Sequence, residues 1–390
     1  MKIKVLQLIT RLNVGGPSIH VILLTKDLNK ERFESFLISG QEDLSEGNML
    51  DLLEEKEIKP IIISEIGREI NWHDDFISLW KLWKYIKKIK PDIIHTHMAK
   101  IGTLGRISGI LAGVPIIIHT FHGHTFHSYF SPLKNQLFIF IEKILAFFTT
   151  KIIAITKSQK DEILKHGIGN PKKIVMIPLG FDLEKFLNCD KEKGKFRQEL
   201  NFNENDFLIG IIARLVPIKG HSYFLKAASI IAKKYPQAKF LIIGDGKLRP
   251  SLEKLAQELG IISQTFFLGF KKDMDKIYAD LDLVVISSLN EGSPVSIIEA
   301  MAAAKAIVST NVGGVPDLIK NNETGVLVPS KNPDALAQEI IALLENPDKR
   351  KKMGILAKEN ATYQFSKENL IKNTENLYNE LVSNLKINKG

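Results

Sequence analysis

Short apolar runs alternate with helical stretches from Lys4 to Val328, and no other feature narrows the fold as far. The runs are Lys4–Thr10, Phe33–Ser39, Lys59–Ile63, Ile93–His95, Ile116–His119, Ile152–Ile155 and Ile174–Ile177. After a break come Phe207–Ile212, Lys239–Ile243, Thr265–Leu268, Asp282–Ile286, Ala306–Ser309 and Gly325–Val328. Runs of this length bounded by turn residues read as buried strands, and a helix after each makes the sheets parallel. The class is therefore α/β. A chain of 390 residues is long for one core, so two domains are expected. Pro178-Leu179-Gly180-Phe181-Asp182 interrupts the pattern, which then starts afresh. The boundary falls there, giving domains 1–180 and 181–365. Two such domains facing each other make a crevice, the default place for a ligand.

Hydrophobic content of 44% and charged content of 25% describe an ordinary soluble protein. One cysteine, Cys189, excludes a disulfide framework and fits a reducing, cytoplasmic setting. The opening Met1 to Ile9 is too short an apolar run for a signal peptide. The most apolar stretch, Leu137 to Phe148, contains Glu142 and Lys143 and falls short of the roughly 20 residues that span a bilayer. The net charge of +9 suits anionic partners: acidic lipid headgroups, nucleic acid or phosphorylated small molecules. The basic, aromatic helix Leu79 to Lys90 is expected to pack its apolar side on a sheet and leave its lysines in water. A membrane-surface role is the alternative. No recognition module accompanies the charge, so nucleic acid is not expected.

Ser287 to Met301 carries the densest chemistry. An apolar run ends at Ile286, Gly292-Ser293-Pro294 breaks it, and a helix follows with Pro294 at its first position. A helix starting at the carboxyl end of a parallel strand aims N–H groups at a ligand. Glu291 in the loop and Glu299 about two turns into the helix suit two ends of one molecule. N–H donors for phosphate beside carboxylates for hydroxyls fit a nucleotide sugar. A plain strand–loop–helix turn with a solvated Glu is the competing reading.

After Ile209–Ile212 come Arg214 and Lys219, a plausible diphosphate clamp at a strand's carboxyl end. Gly244-Asp245-Gly246 follows the next strand as a tight turn, and Gly15-Gly16 follows the first; neither has the third glycine of a dinucleotide fingerprint. Asp273-Met274-Asp275 and Asp280-Leu281-Asp282 could hold Mg²⁺ or Mn²⁺, yet a helix start and a strand entry give both structural work. The histidines cluster at His95, His97, His119, His122, His124 and His127. A metal hydrolase is one reading, but the cluster contains no acid or Cys at ligand spacing. A histidine beside a reacting sugar is the better one, with His122 favoured although spacing does not separate it from His124.

Together these residues resemble the retaining GT-B glycosyltransferases of family four, which include bacterial polysaccharide and lipid-linked sugar transferases. The resemblance runs through Gly15-Gly16, Asp92-Ile93-Ile94-His95-Thr96-His97, His122-Gly123, Ile177 to Asp182, Arg214…Lys219-Gly220, Gly244-Asp245-Gly246 and Glu291…Glu299. It implies two Rossmann-like domains: the first on the acceptor side, the second binding the nucleotide sugar. A last helix, 366–390, would cross back to the first domain. It implies that Gly16 approaches the donor phosphates, His122 lies at the donor sugar, and Arg214 and Lys219 hold the diphosphate. Glu299 would accept from the ribose and Glu291 would lie near the sugar, both beside Gly244, Ser293, Pro294 and Val295. It further implies a UDP-sugar as first donor, a glycan or lipid-linked acceptor, no cofactor and no metal. Work at the inner face of the cell membrane, on an anionic surface, follows from such acceptors. Many members carry Phe-Gly where this chain has Ser293-Pro294. Pro294 has no N–H to give, which weakens any inference about sugar identity. A nucleotide-sugar epimerase and a non-catalytic nucleotide-sugar sensor are the other readings.

Overall fold

The apolar runs become strands within a residue or two of where the sequence puts them. The computed structural model describes residues 2–13, 15–41, 49–67, 70–123 and 132–387. It divides into two units, Met1–Phe181 with Lys367–Gly390, and Asp182–Ser366.

The first unit holds β1 (Ile3–Ile9), β2 (Phe33–Gly40), β3 (Ile61–Ile63), β4 (Ile93–His97), β5 (Ile116–Phe121), β6 (Lys151–Ala154) and β7 (Ile174–Met176). Between them lie α1 (Gly16–Asp27), α2 (Leu50–Glu55), α3 (Trp72–Ile89), α4 (Ala99–Ala112), α5 (Pro132–Phe148) and α6 (Lys157–Lys165). The second unit begins with α7 (Glu184–Leu187) and α8 (Lys195–Glu199). Its strands are β8 (Phe207–Ile212), β9 (Ala238–Ile243), β10 (Thr265–Gly269), β11 (Leu283–Ile286), β12 (Ala306–Thr310) and β13 (Val326–Val328). Its further helices are α9 (His221–Lys234), α10 (Arg249–Glu258), α11 (Met274–Asp280), α12 (Val295–Ala302), α13 (Val315–Leu318), α14 (Pro333–Glu345) and α15 (Pro347–Gln364). The last helix, α16 (Lys367–Ile387), packs in the first unit, where Leu377 and Tyr378 share a cluster with Val5 and Phe33.

The first sheet runs in the order β3-β2-β1-β4-β5-β6-β7 and the second β10-β9-β8-β11-β12-β13, with paired strands parallel. Each chain segment winds outward from a central strand, then crosses to its other side. The switch points therefore lie between β1 and β4 in one unit and between β8 and β11 in the other. Loops at the carboxyl ends of these strands form the crevice that doubly wound sheets offer a ligand.

Two features of the first unit were not legible in the sequence. On α3, Leu82 and Ile86 are buried, but Trp72, Phe76, Trp80 and Trp83 point outward, so the aromatic residues do not all pack on the sheet. Their side of the helix is not the one that the buried leucine and isoleucine select. The Glu142 that interrupts the apolar run of α5 is fully buried and meets Arg106 of α4, Nη2 to Oε1 at 2.6 Å. Arg106 Nε also donates to Gly102 O at 2.6 Å. Gly102 itself must lack a side chain, because a Cβ there would sit 2.5 Å from the His119 ring.

Candidate active site

In the second unit, β8 runs into Ala213-Arg214-Leu215, and Leu215 N–H donates to Asp245 O at 2.9 Å. This ties the strand-end loops of β8 and β9 together. Gly244 holds φ 129°, and a Cβ there would lie 2.2 Å from Ala213 O, so the turn requires glycine for packing alone. Arg214 is exposed on the same loop.

The loop after β11 is stitched to the turn before α9. Ser287 Oγ donates to Lys219 O or Gly220 O, at 3.1 and 3.0 Å, and Leu289 N–H donates to Ile218 O at 2.8 Å. Those bonds bring Lys219 Nζ within 2.6 Å of Glu291 Oε1. Ser288 Oγ donates to the same oxygen at 2.6 Å. From the other side Gly314 N–H donates to Glu291 O at 3.0 Å, and Thr310 Oγ1 donates to Ser288 O at 2.7 Å. Glu291 is 9% exposed, so its carboxylate is paired and fixed. The sequence set Lys219 against a ligand; the structure sets it first against Glu291.

Pro294 is not the first residue of α12 but the residue before it, with φ −66° and ψ 123°. A ring that fixes φ suits either position; the extended ψ places it outside the helix. Ser293 and Val295 flank it half-buried. On α12, Glu299 Oε2 lies 3.0 Å from the Tyr278 hydroxyl, which also lies 3.2 Å from Ser296 O. Burial pushes the Glu299 carboxyl up to about 7, with the Tyr278 hydrogen bond and Lys185 pulling the other way. The second Asp-x-Asp pair is used structurally. Asp280 accepts from Gly194 N and Arg197 N at 2.6 and 3.0 Å, and Asp282 from Leu208 N and Arg197 Nη2 at 2.9 and 3.0 Å. Asp273, at the start of α11, pairs with Lys276 at 3.3 Å.

In the first unit Gly16 opens α1, after the loop that follows β1. Strand alternation then sorts the histidines. His119 turns to the α4 face, its Nδ1 2.8 Å from Thr96 Oγ1. His95 and His97 turn to the opposite face and join a buried chain of hydrogen bonds. Thr120 Oγ1 lies 2.6 Å from His95 Nε2, and His95 Nδ1 lies 2.7 Å from the Tyr378 hydroxyl. Gln7 Nε2 donates to that hydroxyl at 3.1 Å, while Gln7 Oε1 accepts from His97 Nε2 at 2.9 Å. His97 Nδ1 ends the chain 2.9 Å from His122 Nε2. A Gln7 oxygen that accepts from His97 leaves its Nδ1 as a lone pair, so His122 donates from Nε2. Burial lowers His95, His97, His119 and His122 well below the usual imidazole range, and their neighbouring imidazoles and Arg106 act in the same direction. The loop carrying His122 is pinned by Gln159 Nε2, which donates to Gly123 O at 2.8 Å. His124 and His127 lie outside the described residues.

The strand end is strained. Met98, just after His97, holds φ 70°, a conformation that costs a non-glycine residue about 1–3 kcal/mol and that clusters at functional sites.

Both sheets thus gather their polar residues at a switch point. Residues 14–185 match the family described as Glycosyltransferase Family 4, and residues 192–360 match Glycosyl transferases group 1. An Escherichia coli protein, UDP-Gal:alpha-D-GlcNAc-diphosphoundecaprenol alpha-1,3-galactosyltransferase, is 31% identical over 364 residues, covering 92% of either chain. The chain is a family 4 glycosyltransferase. It is also similar to the capsular polysaccharide biosynthesis glycosyltransferase CapM of Staphylococcus aureus, at 27% identity over 90% of this chain and 97% of that one. Among solved structures, a glycosyltransferase from Rickettsia africae superposes with a TM-score of 0.82 at 23% identity, covering 98% and 99% of the two chains. Anabaena HepE in complex with UDP and glucose also gives 0.82, at 22% identity over 97% and 99%. The two Rossmann-like units are those of the GT-B fold.

Several residues of this glycosyltransferase's two polar clusters escaped the sequence reading: Gln7, His20, Ser288, Tyr278 and Tyr378. One signal was available. A glutamine inside the apolar run of β1 is a buried polar group that must find partners, and Gln7 has two.

Proposed function

We propose that this glycosyltransferase moves a sugar from a UDP-sugar to a lipid-linked or polysaccharide acceptor, with retention of configuration and without a bound metal. The observation that carries this reading is the charge layout at the β8/β11 switch point. There Arg214 and Lys219 supply cations for a diphosphate, and Glu291 and Glu299 supply carboxylates for hydroxyls. The Escherichia coli relative's UDP-Gal donor and diphosphoundecaprenol-linked substrate support the donor and acceptor classes, and HepE's bound UDP and glucose fit them.

The second unit takes the nucleotide: Glu299 accepts from the ribose, Arg214 and Lys219 hold the diphosphate, and Gly244, Ser293, Pro294 and Val295 line its bed. Glu291 serves the sugar. The first unit serves the acceptor, with Gly16 offering backbone N–H to phosphate and His122 lying at the transferred sugar. As the bond from the sugar's anomeric carbon to the diphosphate oxygen breaks, that oxygen takes the acceptor's hydroxyl proton, and the acceptor oxygen bonds on the same face. The charge that develops on the leaving diphosphate falls on Arg214 and Lys219, so no metal is called for.

No helix among the described residues is long and apolar enough to cross a membrane. Trp72, Phe76 and Trp80 of α3 are 87%, 73% and 50% exposed, and Phe140, Ile144 and Phe147 of α5 are exposed as well. Aromatic side chains beside lysines suit an anionic membrane at its inner face, where a lipid-linked acceptor is presented. A thermal-shift panel of nucleotide sugars in EDTA tests the donor claim. At a hundred times its dissociation constant a UDP-sugar stabilises by about 2.7 kcal/mol. Protection by GDP- or ADP-sugars alone would reassign the base, and protection by none would remove the reading.

A further inference from the structure

We propose that His20, His97 and His122 form a binding site for one borderline transition-metal ion, Zn²⁺ first, and that filling it stops transfer. The inhibition rests on the reading of His122 given above; the binding does not.

α1 brings His20 to the β1/β4 switch point, against the rings of His97 and His122 with centroids 5.5 and 5.0 Å away. One ring nitrogen from each of the three lies within 4.8 Å of the others. Nitrogens around a tetrahedral Zn²⁺ at about 2.0–2.1 Å stand roughly 3.3 Å apart, so closure needs side-chain shifts on the order of 1 Å. His97 is already oriented for it. Its Nε2–H is held by Gln7 Oε1, which turns the Nδ1 lone pair inward, as outer-sphere oxygens do for metal-bound histidines.

His20 supplies the independent observation. It is 1% exposed, yet neither ring nitrogen has a hydrogen-bond partner among the described residues, and neither does His122 Nδ1. Unpaired buried nitrogens are costly, and a ligand-bound imidazole is one way to pair them. Three imidazoles with no carboxylate or thiolate select Zn²⁺, Cu²⁺, Ni²⁺ or Co²⁺ over Mg²⁺, Mn²⁺ or Ca²⁺. Such a site is chemically distinct from a divalent ion held on a diphosphate. A bound ion would engage His122, the residue assigned to the sugar.

The test uses the full chain stripped with EDTA, titrated calorimetrically with Zn²⁺ alone, beside His20→Phe and His20→Gln. The expected result is one Zn²⁺ per chain, at least tenfold weaker in both variants. Stoichiometric Zn²⁺ should halt transfer by the parent chain and be reversed by chelator, while His20→Phe keeps its basal rate in Zn²⁺. Undiminished one-to-one binding in both variants, or no one-to-one binding by the parent, overturns the site. Should the variants not fold, X-ray absorption on the parent's zinc complex decides: an imidazole shell upholds the site and a carboxylate or sulfur shell overturns it. Zinc held through His20 with turnover intact would keep the site and remove His122 from the chemistry.

Discussion

Glu291→Gln keeps the side chain's shape and removes the charge that engages Lys219. In the free protein that carboxylate sits 2.6 Å from Lys219 Nζ and also accepts from Ser288. A diphosphate oxygen on the ammonium's open side would lie about 5 Å from the carboxylate. Two like charges at that distance repel by about 3 kcal/mol at an effective dielectric constant of about 20. Lys219 is 20% exposed, so solvent and salt reduce the figure to about 1–2 kcal/mol. Glu291→Gln should therefore bind UDP about 5–30-fold more tightly, and the gain should shrink as salt is raised. Transfer should slow by a factor on the order of 10²–10³, because a group serving the sugar is lost. Calorimetric titration with UDP at low and high salt measures the first effect directly. Unchanged or weaker UDP binding by the folded variant would refute the claim that Lys219 is shared between Glu291 and the diphosphate.

Glu299 makes nucleotide affinity depend on pH. With its carboxyl raised to about 7, the free protein prefers the protonated form, so its stabilising contribution is full below about 4.5 and is lost as the pH rises through 7. Binding that needs the carboxylate runs the other way: affinity for a UDP-sugar, whose diphosphate does not titrate here, should be about tenfold weaker at pH 6 than at pH 8. Glu299→Gln should give a flat, weak profile by the same titration. His122→Ala should lower kcat by a factor on the order of 10²–10³ with UDP affinity little changed, whereas a parallel loss of both in steady-state kinetics would make the residue structural. The Arg106–Glu142 pair is fully buried, so Glu142→Ala should cost about 3–5 kcal/mol in urea denaturation by stranding a guanidinium. The double change Arg106→Met with Glu142→Leu should recover most of that loss, and a destabilisation equal to the sum of the single changes would contradict it.

Strands were legible because a buried parallel strand is a local signal, a short apolar run between turn residues. Phe207–Ile212 came out residue for residue, and the ends of the others moved by a residue or two. Arg214, Lys219, Glu291 and Glu299 stood out because they follow strand ends in order. What stayed hidden depends on which strand neighbours which. Gln7 reaches His97 only because β4 lies beside β1, and Tyr378 reaches Gln7 and His95 only because α16 returns to the first unit. His20 looked like one residue on a helix until the switch point set it against His97 and His122. Leu82 and Ile86 pack as expected while Trp80 and Trp83 stand outward, because helical spacing marks a face without saying how wide the buried stripe is. Pro294 was misplaced by one residue because its ring fits both the cap and the first turn.

Retaining transfer from a UDP-sugar without metal is reported most directly by the anomeric configuration of the product. The purified chain, in EDTA, is given an α-linked UDP-hexose and a diphosphate-lipid acceptor bearing one sugar, and the new linkage is read by proton NMR from its anomeric coupling. An α-linked product formed at the metal-free rate is the result expected. A β-linked product, or turnover that appears only when Mg²⁺ or Mn²⁺ is restored, would contradict metal-free retaining transfer.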